Sequence, residues 1–498
     1  MLACVVPAIC GLAAAANPSR VAPKRAIMRP PGRRVPSRWD DVGPGVPYNS
    51  NSHDFPMSES FFPRWRRVDG AQGTIVAPDE CLSTPQNIAM GAQHVVAMFG
   101  STVLAPLLMG FDPNVAILMS GIGTLIFFFF VRGRVPSYLG SSFAFIGGVV
   151  AVTGYAGSGP NANIGVALGA IVVCGVVYAL VGLLVWYLNA RPGGGSAWIE
   201  SLMPPVVTGA VVAVIGLNLA PIAVRGAMGG TTFDSVMALV TILCVGFMAV
   251  LTSGALQRLL ILSGLILAFT IYFVLANLLG MGTPISFSGV AEAAWIGLPR
   301  FASPEFRIEA MGLIVPVVVI LVAENLGHIK AVSAMTGRDL DKYLGRAFVG
   351  DGVATVLSGA VGGTGVTTYA ENIGVMAVTR IYSTLVFVIA ALIAILLGFS
   401  PKFGALIQTI PGPVLGGMSV VIFGLIAVAG ARIWVVNKVD FSDNRNLIVA
   451  AVTLVFGAGD FTLKFGDFVL NGIGTATFGA IILYAILRQR AGGSASGL

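Results

Sequence analysis

The sequence predicts an all-α polytopic membrane protein with about fourteen transmembrane spans, arranged as a 7+7 inverted repeat. Three observations lead to this fold class: the composition, the long uncharged runs and an internal repeat. The chain has 498 residues, of which 56% are hydrophobic and only 10% are charged, and its mean hydropathy is +0.88. Soluble proteins carry about 25% charged residues. The composition therefore excludes an ordinary soluble domain.

Uncharged apolar runs recur along the chain and are long enough to cross a bilayer. Residues 117–131 and 383–398 contain no charged side chain, and a spanning helix needs about 20 mostly apolar residues. Runs of this kind predict spans at 86–110, 114–131, 141–155, 163–187, 198–224, 235–252, 258–280, 309–329, 346–361, 371–380, 382–399, 409–431, 445–459 and 471–487.

The third and tenth of these spans are short, and each follows a glycine-rich stretch: YLGSSFAFIGG (138–148) and GGTGVTTYAENIG (362–374). Glycines and paired threonines make poor helix interiors. Irregular backbone is tolerated at membrane depth only where it is buried in protein or lines a cavity. We therefore expect spans three and ten to be broken by short β-like segments beside a cavity.

An internal repeat relates the two halves of the chain. PVVTGAVVAVIGL (205–217) and PVLGGMSVVIFGL (413–425) share the proline, the first valine, an internal glycine and the final Gly-Leu. These segments lie in spans five and twelve, which therefore correspond. Spans five and twelve are seven spans apart, as are the two short spans. Because seven is odd, the halves insert in opposite orientations. Such a repeat places a substrate site near the bilayer midplane, where the broken helices meet.

Loop charges predict the orientation. With a cytoplasmic N-terminus, fourteen basic residues fall on the cytoplasmic side and five on the opposite side. This asymmetry follows the positive-inside rule and favours an even number of spans with both termini in the cytoplasm. The net charge of +7 therefore reflects membrane topology, and no nucleic-acid partner is expected.

The N-terminal region differs from the rest in composition. Residues 1–82 are rich in proline and arginine, which predicts a disordered cytoplasmic tail. Met57 opens an ordinary cytoplasmic start, so residues 1–56 are interpreted either as a mis-assigned upstream start or as a targeting segment.

The five cysteines include no CxxC pair. Two of them, Cys174 and Cys244, fall inside apolar runs. We expect no disulfide, no metal site and no cofactor.

Four ionisable side chains stand out inside the predicted spans: His94, Glu324, His328 and Glu371. Glu324 and His328 are four residues apart, so they share one helix face. A structural Glu–His pair, a metal site and a substrate or proton site all fit this spacing. The second acid and the second histidine favour the substrate or proton site, because buried charge in a bilayer is costly.

Glu371 stands at the start of a predicted half-helix. Free N–H groups and the positive end of the helix dipole stabilise a carboxylate there. A simple capping role is the alternative. Ser141, Ser142 and Phe143 occupy the matching break in span three, so two sets of free backbone donors are expected to face one cavity.

These residues form a pattern that resembles a known family. The segment ENIG (371–374) and the dipeptide TR (379–380) resemble the signature [QEP]-N-x-G-x4-T-[RKG] of the nucleobase–ascorbate transporters. Gln93-His94 resembles that family's QH pair. The matching signature positions after the glutamate are Asn372, Gly374, Thr379 and Arg380. The resemblance extends from about residue 76 to residue 490 and is greatest to the bacterial uracil permeases.

The resemblance implies roles for individual residues. The substrate-binding set it implies is Glu324, Glu371, Phe143, Ala370, His328 and Tyr369. Two acids and two histidines offer titratable sites in the membrane, so the set expected to couple protons or line the site is Glu324, His328, His94 and Gln93. Ala370 departs from the glycine of several uracil permeases, and its extra methyl group is expected to narrow the pocket.

The resemblance also implies an architecture of two domains. A core domain would comprise residues 86–190 and 309–399, and a gate domain would comprise residues 198–300 and 404–490. Homodimers are common in the family.

The expected function is import of uracil, with thymine as a second candidate substrate, across the bacterial inner membrane by proton symport and alternating access. Within the family, xanthine or another purine is the alternative substrate. Outside the family, an intramembrane enzyme would need chemical turnover of its substrate. A channel fits poorly with two broken helices, and an anion exchanger fits poorly with a site that holds two acids and no lysine.

Overall fold

The computed structural model describes residues 61–68, 75–155, 159–191, 197–253, 259–465 and 468–488. They belong to one compact unit that begins at residue 58. The predictions made for residues 1–56 lie outside the described residues.

Helices dominate this part of the chain. In its N-terminal half they are α1 (Thr84–Met109), α2 (Pro113–Phe130), α3 (Ala144–Thr153), α4 (Ile164–Asn189), α5 (Ala197–Leu202), α6 (Pro205–Ala227), α7 (Thr232–Leu251), α8 (Leu260–Phe273, continued by a π-turn over Val274–Leu278) and α9 (Ser288–Glu292). In its C-terminal half they are α10 (Ile308–Ile314), α11 (Val317–Thr336), α12 (Leu344–Val361), α13 (Ala370–Thr379), α14 (Thr384–Gly398), α15 (Pro401–Gln408), α16 (Gly412–Val436), α17 (Asn444–Ala458) and α18 (Gly472–Arg488).

Three two-stranded sheets complete the described structure. Their strands are β1 (Arg66–Arg67), β2 (Glu80–Cys81), β3 (Leu139–Ser141), β4 (Val366–Thr368), β5 (Leu463–Phe465) and β6 (Phe468–Leu470). The first sheet, β1–β2, is parallel, whereas β3–β4 and β5–β6 are antiparallel.

Among the described residues, eight helices are long and apolar enough to cross a membrane. The number rises to nine if α14 and α15, which are bent by 81° at a short break, form one span. Helices α3, α17 and α18 are shorter but also apolar. The protein is therefore a mostly helical, multi-pass membrane protein.

Spans three and ten each contain a strand followed by a short helix. Strand β3 leads into α3 and strand β4 leads into α13, and both helices have 10 residues. The predicted bounds, 141–155 and 371–380, lie within three residues of these helices. Each break falls where glycine, serine and threonine replace helix-forming residues.

Two other spans differ from their predicted bounds. Predicted span five (198–224) is split into α5 and α6, because Pro204 and Pro205 interrupt the helix between them. Predicted span eight (309–329) continues to the end of α11, well past its apolar part. That helix ends at Gly337, whose φ of 64° is readily adopted only by glycine.

The long helices pack as two groups. The first group comprises α1, α2, α4, α12 and α14, and the second comprises α6, α7, α8, α16, α17 and α18. Within the second group the repeat-related helices α6 and α16 lie against each other. A Cβ added at Gly216 of α6 would lie 2.2 Å from the carbonyl oxygen of Phe423 in α16. Glycine at this position is therefore required for the close approach.

The structure corrects one expectation about the N-terminal region. Residues 61–68 and 75–82 are ordered, although the sequence predicted disorder up to residue 82; we call these two stretches the N-terminal strap. Val76 pairs with the segment after α13: its N–H donates to the Arg380 carbonyl (3.0 Å), and its carbonyl accepts from the Tyr382 N–H (2.8 Å). Asp79 forms an ion pair with Arg338 (2.5 Å). These backbone and ionic contacts order a stretch whose composition alone suggests disorder.

Candidate functional site

The site is built around the antiparallel pair of β3 and β4. Leu139 faces Thr368 and Ser141 faces Val366 in this register. The pair is completed at one end by the Tyr369 N–H, which donates to the carbonyl of Tyr138 (3.0 Å). Because the strands are antiparallel, the helices that follow them leave in opposite directions. The N-terminal ends of both half-helices are therefore at the strand pair.

Glu371 lies in the first turn of α13. The hydroxyl of Ser101, from the middle of α1, donates a hydrogen bond to its Oε1 atom. Ser101 is completely buried, and Glu371 is half-buried. The carboxylate is thus held by a neighbouring helix, in addition to the favourable N-terminal end of its own helix.

Tyr369 is fixed by two hydrogen bonds across the strand pair. Its hydroxyl donates to the carbonyl of Ser141 (2.9 Å) and accepts from the hydroxyl of Thr102 (3.0 Å). Ser101 and Thr102, adjacent in α1, therefore bind residues on either side of the start of α13. Helix α1 fixes the position of this half-helix relative to β3.

Glu324 and His328 lie half-buried on α11, one turn apart. The Nδ1 atom of His328 is 2.8 Å from the Thr368 hydroxyl at the end of β4. Glu324 is near enough to Glu371 for the two carboxyl groups to interact electrostatically. The structure thus brings both predicted acids and one predicted histidine to the strand pair.

His94 lies apart from this group and contacts the signature asparagine. The amide of Asn372 is 3.0 Å from His94 Nδ1 and also donates to the His94 carbonyl (3.0 Å). The His94 ring is completely buried beside the Phe387 ring, with ring centroids 4.6 Å apart. His94 therefore ties α1 to α13. Gln93, the other member of the QH pair, is half-buried on α1.

The remaining signature residues lie in the middle of α13 and at its C-terminal end. A Cβ at Gly374 would meet nothing within 4 Å, so this residue borders open space. The Thr379 hydroxyl donates to the Val375 carbonyl (2.9 Å). Arg380 ends the helix in the left-handed conformation, with φ of 57°. This conformation is strained for a residue other than glycine, and the hydrogen bond from the Val76 N–H in the N-terminal strap to the Arg380 carbonyl stabilises it.

Phe143 and Ala370 stand at the starts of the two half-helices. Phe143 is half-buried and packs edge-on against Phe423 of α16, with ring centroids 6.0 Å apart. Ala370 is exposed beside Glu371. The predicted aromatic residue therefore contacts the second group of helices, whereas the predicted alanine faces open space.

Asp351 is a buried acid that the sequence argument left out. It lies inside predicted span nine, so the count of four ionisable residues within the spans was incomplete. Asp351 is completely buried in α12 and accepts a hydrogen bond from the Asn325 amide, which also donates to the Tyr178 hydroxyl (3.1 Å). Asn325 is the neighbour of Glu324. A carboxyl group in an apolar run was the signal that could have identified it.

Ser101 and Thr102 were also missed. Hydroxyl groups barely change hydropathy, so a scan for charge does not find them. Ser101 follows His94 by seven residues, about two helical turns, which places both on one face of α1. The signal was this helical spacing from the QH pair. Among the described residues, no cluster of His, Cys, Asp and Glu is suited to a metal ion.

Comparison with known proteins identifies the protein family to which the chain belongs. The model of a family described as a permease family matches residues 85–465. The chain is 64% identical, over 86% of its length and 96% of the relative, to a protein of Escherichia coli (strain K12) provisionally named pyrimidine permease RutG. It is 42% identical to the uracil permease of Paenibacillus larvae subsp. larvae, over 82% of this chain and 96% of that protein. The chain belongs to this permease family, the nucleobase–ascorbate transporters, and is a transporter, not an enzyme.

Solved structures show where this fold recurs. The transmembrane domain of the cyanobacterial bicarbonate transporter BicA matches with a TM-score of 0.55 and 15% identity, over 80% of this chain and 96% of that domain. The murine anion transporter Slc26a9, in an inward-facing state, matches with a TM-score of 0.58 and 11% identity, over 81% of this chain and 68% of that chain. At this identity the likeness concerns the fold alone.

Proposed function

We propose that this protein imports uracil, with thymine as a second candidate substrate, across the bacterial inner membrane by proton symport and alternating access. The observation that carries the proposal is the pair of carboxyl groups, Glu324 and Glu371, beside the paired strands and the starts of two half-helices. Relatives named uracil permeases support the substrate class.

The site has the chemistry to bind a pyrimidine base. Uracil is flat, with two N–H donors and two carbonyl acceptors. Glu324 and Glu371 can accept the N–H groups, and the free backbone N–H groups at Phe143 and Ala370 can donate to the carbonyls. Phe143 offers a ring for stacking. Xanthine, a larger base with the same kinds of groups, is the alternative, and the Ala370 methyl group favours the smaller ring.

The same proposal includes the full topology. Fourteen spans in two inverted halves would place both termini in the cytoplasm. Antiparallel pairing of β3 with β4 supports the inversion, because the chain crosses this point in opposite directions in the two halves. The first group of packed helices fits a core domain (86–190 and 309–399), and the second fits a gate domain (198–300 and 404–490). Movement of one domain against the other would alternate access to the site, and a homodimer is part of the proposal.

A coupling ion is needed because uracil is neutral. Entry of one proton with each uracil would contribute about 2.3 kcal/mol per 100 mV of membrane potential, enough for about 50-fold accumulation. Glu324 is proposed as the coupling carboxyl, with His328 tuning its protonation. His94 and Gln93 support the site from α1.

Uptake of labelled uracil into proteoliposomes tests the function. Unlabelled uracil and thymine should compete strongly, and xanthine and uric acid weakly. Competition by xanthine at lower concentration than uracil would instead identify a purine permease. Saturable counterflow of unchanged uracil separates this transporter from a channel.

A further inference from the structure

Ser101 is an unusual serine for a membrane helix. A buried helical hydroxyl commonly donates back to a carbonyl one turn earlier in its own helix. Ser419 and Thr241 do so, with bonds of 2.7 Å to Leu415 and 2.8 Å to Met237. Ser101 is equally buried but donates to Glu371 on another helix. Its hydroxyl therefore acts on the candidate site and not on the local backbone.

The hydrogen bond divides the two oxygens of the carboxylate. Oε1 of Glu371 accepts the Ser101 hydroxyl, so this bond fixes the orientation of the carboxylate and makes its two oxygens inequivalent. A carboxylate without this partner could rotate and present either oxygen. Glu371 is the second residue of α13 and follows the exposed Ala370, so the oriented carboxylate belongs to a part of the helix that the surrounding protein leaves partly uncovered.

The adjacent bond from Thr102 has a different target. Thr102 donates to Tyr369, whose own hydroxyl donates to the strand carbonyl of Ser141. That bond fixes the backbone frame, whereas the bond from Ser101 ends on an ionisable group. Thr102 therefore supports the backbone around the strand pair, whereas Ser101 acts on the ligand-binding carboxylate.

We propose that Ser101 is a specificity-determining positioning residue, which holds Glu371 in a fixed orientation as a hydrogen-bond acceptor and so selects a ligand that presents a ring N–H. This inference rests on the proposed function, because it takes Glu371 as a binding group. The hydroxyl does not touch the ligand. It acts through the carboxylate, by orienting it and by stabilising its ionised form.

Calorimetric binding of uracil to the purified full-length protein tests the proposal. Ser101→Ala should weaken binding roughly tenfold, because a hydrogen bond to a charged group is lost. Ser101→Cys keeps nearly the same volume but donates poorly, so it should show a similar loss. Ser419→Ala, the matched control, should bind within about twofold of wild type, because its hydroxyl serves only its own helix.

A double substitution separates this role from simple packing. In a Glu371→Gln background the hydroxyl meets a neutral amide, so the further effect of Ser101→Ala should fall to about threefold or less. The proposal would be overturned if Ser101→Ala weakened uracil binding by the same factor in the wild-type and the Glu371→Gln proteins. A folded Ser101→Cys variant that binds uracil like wild type would also overturn it. Thermal unfolding of each variant shows whether it is folded. If Ser101→Ala does not fold, uracil binding by Ser101→Cys tests the proposal. Failure of the wild type to bind uracil would instead overturn the proposed function.

Discussion

Glu371 and Glu324 are held by their surroundings in different ways. Glu371 has a hydroxyl partner and the N-terminal end of a helix. Glu324 lies within α11, where the helix backbone satisfies its own N–H groups, and its nearest polar neighbour along the helix face is His328. A helix interior gives no dipole stabilisation to a carboxylate. Glu324 is therefore the better candidate to gain and lose a proton, and Glu371 is the better candidate to hold the base.

Replacing either acid by its amide should weaken uracil binding. Glutamine keeps the size of glutamate, but its NH2 group faces a ring N–H unfavourably. A hydrogen bond to a charged group contributes about 1.5–3 kcal/mol, so Glu324→Gln and Glu371→Gln should each bind uracil roughly 10- to 150-fold more weakly by calorimetry. Glu309→Gln, at an exposed position in α10, is the control. Binding within twofold of wild type in either site variant would contradict the assignment.

Substitution of the buried Asp351 by alanine and by asparagine should lower the free energy of unfolding by different amounts. Asp351→Ala removes the acceptor of the Asn325 amide in a completely buried place, which should lower the free energy of unfolding by about 1–3 kcal/mol. Asp351→Asn should cost much less. The Oδ1 atom of Asn325 has no hydrogen-bond partner among the described residues, so a second amide can form two complementary bonds with it. Thermal unfolding in detergent measures both variants, and equal destabilisation would show that this amide pair does not form.

At the scale of elements, the N-terminal strap connects several parts of one face of the first helix group. It pairs with the residues that follow α13, forms an ion pair with Arg338 beyond α11, and places the Trp65 indole N–H 3.0 Å from the Thr384 hydroxyl at the start of α14. These contacts lie at the ends of α11, α13 and α14. They hold the C-terminal end of the half-helix that carries Glu371.

Chains that begin before and after the N-terminal strap should therefore differ in stability and in uracil uptake. A chain that begins at Met57 keeps the whole strap and should insert and transport like the full chain. A chain that begins at Ser83 loses the pairing of Val76 and the ion pair of Asp79, so it should unfold at a lower temperature and take up uracil more slowly. Loss of insertion in the Met57 chain would show that the preceding residues form a targeting segment. Equal behaviour of the two truncated chains would contradict the role of the strap.

The sequence was sufficient to predict the two half-helices but not how they are supported. Glycine and threonine mark the breaks before α3 and α13, and hydropathy marks the rest, so their positions follow from local composition. The pairing of β3 with β4 joins residues more than 200 positions apart, and no local pattern carries that register. Ser101 was not predicted for the same reason, because its partner, Glu371, lies on a helix far away in the sequence. The extension of α11 beyond residue 329 was missed because Lys330, Ser333 and Thr336 interrupt its apolar run.

At the scale of the whole molecule, the candidate site lies beside the boundary between the two groups of helices. The strand pair and α13 pack on the first group of helices, whereas α3 and α11 contact helices of both groups. Phe143 contacts Phe423 across the boundary with the second group. A change of protonation or of ligand at the strand pair can therefore reach the second group through α3 and α11, in addition to the Phe143–Phe423 contact. Proton coupling, if Glu324 performs it, would act at this boundary.

The driving ion can be tested on the whole protein in proteoliposomes. If the proton is the coupling ion, uracil uptake should rise as the external pH falls from about 8 to about 6, a range that brackets the ordinary titration of histidine. It should collapse with a protonophore and ignore the replacement of sodium. His328→Ala loses the bond to Thr368 at the end of β4 but leaves both acids in place, so it should lose accumulation more than it loses equilibrium binding. Uptake that needs a sodium gradient and is insensitive to a pH gradient would refute proton symport, while leaving the assignment of the binding site intact.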